Sequence, residues 1–107
     1  MDEEAGTFEV EMHSTPAEVL VVTLQGELDL AQADWVEDTL AAAASHHRRM
    51  EIRLSKVTFL DSTGIRTLLT LRDRARALGL DLHFRDPSPA VDLALRAAGL
   101  TNVVDPG

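Results

Sequence analysis

The sequence predicts an α/β domain with a mixed, mostly parallel sheet of four to five strands and helices packed on it. Three observations carry that expectation. The apolar spacing switches from two to three-or-four and back several times along the chain. Val19 to Leu24 is a short, nearly continuous apolar run rich in valine, as in a strand buried on both faces. After that run strands alternate with helices, and such an order needs crossover connections and parallel strands. The 107 residues suit one domain with a core of its own.

The elements follow in order. Residues 1–6 are polar and acidic and end in Gly6, so they read as a flexible acidic tail before a folded domain at 7–107. Phe8, Val10 and Met12 alternate with Glu9, Glu11 and His13, giving a half-exposed first strand. Ser14 to Glu18, with Pro16, is a turn. Val19 to Leu24 is the second strand, and Gly26 to Asp29 breaks it. The first two strands are close enough to pair as a hairpin. From Leu30 the stripe Leu30, Ala33, Val36, Leu40 and Ala43 marks a helix capped by Asp29, with Asp34 near its positive end. His46, His47, Arg48 and Arg49 suit that helix's C-terminus.

Ile52, Leu54, Val57, Phe59 and Leu60 form the third strand and its exit. Ser62 to Leu78 is the second helix, facing the core through Ile65, Leu68, Leu69, Ala75 and Leu78 and ended by Gly79. Leu80, Leu82 and Phe84 alternate with Asp81 and His83 in a fourth strand. Ser88 and Pro89 are an N-cap and a first-turn proline. Val91, Leu95 and Ala98 stripe the third helix, which Gly99 closes, and Val103 with Val104 offers a short last strand.

Composition excludes several functions. No cysteine is present, so disulfides, thiol nucleophiles and cysteine metal sites are out. A net charge of -8 disfavours nucleic acid, which needs clustered Lys and Arg, but is compatible with a basic protein partner. Arg72, Arg74 and Arg76 therefore decorate a helix. No apolar run is of membrane-spanning length and Met1 precedes Asp2, Glu3 and Glu4, so the expectation is a soluble cytoplasmic protein with no membrane part. The four histidines, His13, His46, His47 and His83, form no ligand pattern, so no metal is expected. No Gly-x-x-x-x-Gly-Lys loop exists for nucleotide phosphates. Ser62 lies in Phe59-Leu60-Asp61-Ser62 rather than a Gly-x-Ser-x-Gly elbow, which argues against a serine hydrolase. No catalytic residue and no cofactor are assigned.

The informative stretch is Phe59-Leu60-Asp61-Ser62-Thr63-Gly64-Ile65, where a buried strand runs straight into a helix. Asp61, Ser62 and Thr63 are all N-cap types, which puts the Ser62 hydroxyl in a tight turn at a helix N-terminus. The free N–H groups there suit an anion, and Gly64 lets another backbone or a phosphate come close. Simple capping is the plain alternative. Gly26-Glu27-Leu28-Asp29 follows the second strand, Asp61-Ser62-Thr63-Gly64-Ile65-Arg66 the third, and Asp86-Pro87-Ser88-Pro89-Ala90-Val91 the fourth, with Ala98-Gly99-Leu100 later. This set resembles the STAS family, the domain shared by sulfate transporters and anti-sigma factor antagonists, over roughly residues 8–104.

The resemblance implies a role as well as a fold. In the antagonist branch the serine after the Asp is phosphorylated, here Ser62, with Thr63 as a secondary hydroxyl. The implied partner is an anti-sigma factor serine kinase, an ATPase of the histidine-kinase-like fold. Unphosphorylated antagonist binds it and frees the sigma factor, phosphorylated antagonist lets go, and a serine phosphatase resets the switch. Nucleotide would come with the partner. Asp29 is implicated in partner or nucleotide contact, and Asp61 and Gly64 belong to the same partner-binding turn. Arg66, with Thr70, falls on the outward side of the second helix, and Trp35 lies off the first helix's stripe. Each reads either as a partner contact or as ordinary surface, Trp35 packing on the domain's own edge. The other implied functions are a STAS scaffold or adaptor in a signalling or lipid-transport complex without a serine cycle, and a nucleotide-binding module.

Overall fold

The structure is a computed structural model and describes residues 8–105, so the expected acidic tail at 1–6 lies outside the described residues. Its elements are β1 (Phe8–Ser14), β2 (Val19–Leu28), α1 (Leu30–Ala44), β3 (Arg49–Leu60), α2 (Ser62–Ala77), β4 (Asp81–Arg85) and α3 (Pro89–Ala97). The sheet order is β1-β2-β3-β4. β1 is antiparallel to β2, while β2, β3 and β4 are mutually parallel. The mixed, mostly parallel α/β fold is therefore as the sequence predicts. The expected last strand shrinks to one parallel bridge between Phe84 and Val104, beside which the Asp105 N–H donates to the Phe84 carbonyl at 3.0 Å.

The core joins Leu20, Val22, Leu24 and Leu28 of β2 to Met50, Ile52, Leu54, Val57 and Leu60 of β3, with Val36 and Leu40 from α1, Leu68 and Leu71 from α2, and Val91 and Leu95 from α3. Val21 is buried too, so the middle of β2 is covered on both faces. The core positions of β3 are two apart up to Leu54 and three apart afterwards. The register explains the change. Thr23 pairs with Arg53 but Gln25 with Lys56, and Gly26 pairs with Val57 but Glu27 with Phe59, so β3 carries two extra residues relative to β2.

Several expectations are corrected. β2 does not break at Gly26. It runs on to Leu28, with Gly26 at φ +105° beside the second register shift, a conformation that suits glycine. Leu30, Leu78 and Ala98 are exposed rather than core-facing: Leu30 is the first residue of α1, and Leu78 and Ala98 are the C-caps of α2 and α3. Thr67 and Leu71 are buried in α2 instead. Met12 is exposed near the end of β1, an edge strand. The basic run does not occupy the last turn of α1, which ends at Ala44. His47 nonetheless serves that end: its Nδ1 lies 3.0 Å from the Ala43 carbonyl and its Nε2 lies 2.8 Å from Ser14 Oγ. A carbonyl only accepts, so Nδ1 carries the proton and, in the neutral ring, Ser14 donates to Nε2. His83 is half-buried between carboxylates of Asp81 and Asp105.

Candidate functional site

Two parallel strands end side by side and build the site. Leu28 of β2 pairs with Leu60 of β3, so the next residues, Asp29 and Asp61, leave the sheet from the same edge, about 4.8 Å apart in strand spacing. Each is the N-cap of the helix that follows. Asp29 Oδ1 accepts from the Ala31 N–H at 2.9 Å, and Asp61 Oδ1 accepts from the Gly64 N–H at 2.8 Å. The Asp29 and Ser62 helices thus start at one end of the molecule, as parallel βα turns require.

Of the three candidate caps the structure selects Asp61. Ser62 is the first residue of α2 and is exposed. With Gly64 N–H taken by Asp61 and Ile65 N–H by the Asp61 carbonyl at 2.9 Å, the Ser62 and Thr63 N–H groups are left without an intrahelical partner. Thr63 is half-buried, and its carbonyl accepts from the buried Thr67 hydroxyl at 3.0 Å. The turn therefore presents a serine hydroxyl that does no capping, flanked by a carboxylate already engaged.

Gly64 fixes how this turn meets the sheet. A Cβ there would lie 2.3 Å from the Leu28 carbonyl oxygen and 2.6 Å from Leu60 Cδ1. The close approach that glycine permits is made by the chain's own backbone. Gly64 is buried, and it locks the start of α2 onto the end of β2, next to Asp29.

The other predicted residues divide. Arg66 is exposed one turn along α2 from Ser62. Trp35 stacks edge-on against Phe8, ring centroids 6.2 Å apart at 88°, yet stays 52% exposed on the β1 flank. Two further residues escape the sequence reading: Leu30 at 74% and Phe59 at 47% exposure. Leu30 directly follows Asp29, and Phe59 pairs with Glu27 after the second register shift. They give the Asp29–Ser62 end an apolar component. The available signal was weak: Leu30 is the first helical residue, and the three-residue steps in β3 hint that Phe59 is out of phase. A separate groove of about 330 Å³, lined by Leu40, Met50, Leu71, Leu78 and Leu82, lies at the opposite end, where β3 and β4 begin.

Among the described residues no group of three or more His, Cys, Asp or Glu side chains is arranged so that it could hold a metal ion, and no helix is long and apolar enough to cross a membrane.

A four-stranded mixed sheet with three helices, and with an exposed serine opening the helix that follows β3, defines a small α/β domain. The chain belongs to the STAS-domain family: the family model described as "Mlab, STAS domain" matches residues 12–105. No curated protein sequence matches it. Among solved structures it is similar to the unphosphorylated form of the anti-sigma factor antagonist SpoIIAA, at 20% identity and TM-score 0.74, covering 91% of this chain and 86% of that one. An anti-sigma factor antagonist from Mycobacterium paratuberculosis gives 22% and 0.74, covering 91% and 82%. The phosphorylated form of the Bacillus cell fate determinant SpoIIAA gives 19% and 0.69, covering 91% and 89%. At these identities the likeness is one of fold.

Proposed function

We propose that the protein is an anti-sigma factor antagonist, a binding protein rather than an enzyme, switched by phosphorylation of Ser62. The observation that carries the reading is the division of labour at the turn: Asp61 caps α2, so Ser62 is left as an exposed, structurally idle hydroxyl at a helix N-terminus. Such a hydroxyl is a ready acceptor. A partner kinase would supply ATP, Mg²⁺ and a base. The bond from the γ-phosphorus of ATP to its bridging oxygen breaks, the Ser62 Oγ–phosphorus bond forms, ADP leaves, and the hydroxyl proton passes to the kinase's base. The added charge, about -1.5 to -2 at neutral pH, is accepted by the helix N-terminus in the free protein and stranded in a desolvated interface. Release follows from that asymmetry, and a serine phosphatase resets the cycle.

Asp29, Asp61, Leu30, Phe59 and Arg66 would form the docking face, with Thr63 secondary, Gly64 holding the turn in place and Trp35 at the margin. A cytoplasmic setting goes with this role. The match to a family model described as Mlab favours a second reading, a STAS adaptor in another complex with no serine cycle.

The test is affinity capture from the native cytosol, followed by incubation with ATP and Mg²⁺ and phosphopeptide mapping. The expected result is a histidine-kinase-like ATPase that phosphorylates Ser62. Ser62→Asp should weaken capture tenfold or more, about 1.4 kcal/mol. Capture of a transporter subunit, or a phosphate placed elsewhere, overturns the serine switch in favour of the adaptor.

A further inference from the structure

We propose that Arg66 is the intramolecular counter-charge of phosphorylated Ser62, an inference that rests on the Ser62 reading and adds how the modified state is held. Ser62 opens α2 and Arg66 stands four residues on, both exposed. Residues four apart on a helix are neighbours, with Cβ atoms roughly 5–6 Å apart, and an anion preceding a cation is the favourable order. Arg72 and Arg74 of the same helix face carboxylates of Asp73 and Glu37 at 3.9 and 3.8 Å. Arg66 makes no ion pair among the described residues.

The neighbours of Arg66 cannot take its place. Gly64 is buried against the Leu28 carbonyl, Ile65 is a half-buried apolar residue, and the Thr67 hydroxyl is buried and committed to the Thr63 carbonyl. Asp61 carries the wrong sign. In the first two turns of α2, Arg66 alone offers exposed donors of positive charge to a phosphate on Ser62. The guanidinium fork also matches phosphate geometry in a way a point charge does not. Phosphorylation then changes the docking face twice: it adds negative charge at Ser62 and withdraws a positive group that the unmodified protein holds out to its partner.

The test uses the full chain with phosphoserine installed at position 62 during translation, so that no kinase is involved. Phosphorus-31 NMR titration reads the second ionisation of the phosphate directly. In the parent, Arg66 should hold that ionisation roughly 0.3 pH unit lower than in the Arg66→Gln variant. The difference should shrink in 1 M salt, and Arg66→Lys should restore part of it. The unphosphorylated Arg66→Gln protein should melt with the parent, which separates pairing from a structural role. Identical titrations of parent and Arg66→Gln protein overturn the proposal. Because the phosphate is placed by translation, this outcome is independent of whether a cellular kinase chooses Ser62.

Discussion

Asp61 and Ser62 are adjacent, yet only one of them holds the fold. Asp61 closes the first turn of α2 through the Gly64 N–H, and the exposed Ser62 hydroxyl makes no hydrogen bond among the described residues. Gly64 is a tight point, since any side chain there meets the Leu28 carbonyl as well as the Leu60 side chain, and the carbonyl is backbone that cannot turn aside. The three substitutions should therefore rank sharply in stability. Ser62→Ala should fall within about 0.5 kcal/mol of the parent, as for an exposed surface change. Asp61→Ala should lose about 1 kcal/mol with its cap. Gly64→Ala should lose most, about 2–3 kcal/mol, because backbone must move to admit the methyl. Urea unfolding midpoints with a shared slope give the ranking, and a Ser62→Ala cost equal to that of Asp61→Ala would mean that the serine is the cap. The sequence showed three candidate caps in a row and could not choose among them. The choice depends on where the strand lets go, which is settled by the Leu28–Leu60 pairing.

Among the elements, ends and local chemistry were more legible than faces. Ser88 and Pro89 announced α3 through cap and first-turn chemistry, and α3 starts there. Leu30, Leu78 and Ala98 fitted a helical period but are exposed at helix ends, and period alone does not say where the burial of a helix face stops. Phe59 was assigned to the buried strand, because two register shifts in β3 are invisible without its partner strand. Ser88 likewise does more than its cap motif implies. It is 6% exposed, accepts from the Val91 N–H at 3.1 Å and donates to the Val57 carbonyl at 2.6 Å, beyond the point where β4 has left β3. One hydroxyl thus caps α3 and satisfies a carbonyl of the bulged half of β3. Ser88→Ala should cost about 2–3 kcal/mol, a lost cap plus a buried group left unpaired. Hydrogen exchange should accelerate first in α3. A loss below about 0.5 kcal/mol would show that the link to Val57 carries no weight.

Among the described residues exposed apolar side chains stand at both ends of the molecule, and the proposed function chooses between them. At one end Leu30 and Phe59 flank Asp29 and Ser62. At the other, Leu78 stands over the groove where α1 and α2 finish and β3 and β4 begin. α2 runs from Ser62 at the first end to its C-cap Leu78 at the second, so the two are separated by roughly 24 Å at about 1.5 Å per residue. A kinase that phosphorylates Ser62 must seat its catalytic site on the first end, where Leu30 and Phe59 are the exposed apolar side chains it would bury. Leu30 and Phe59 are exposed in the free protein, so replacing them with serine removes little internal packing. Burying the exposed part of each on docking is worth roughly 1 kcal/mol. The double variant Leu30→Ser with Phe59→Ser should therefore keep its melting temperature and lose tenfold or more in affinity for the captured kinase, about 1.4 kcal/mol. Leu78→Ser should bind within twofold of the parent. Titration calorimetry on the three proteins decides the matter. If Leu78→Ser weakens binding and the double variant does not, the partner sits on the groove, and an exposed Ser62 is then no evidence for a switch.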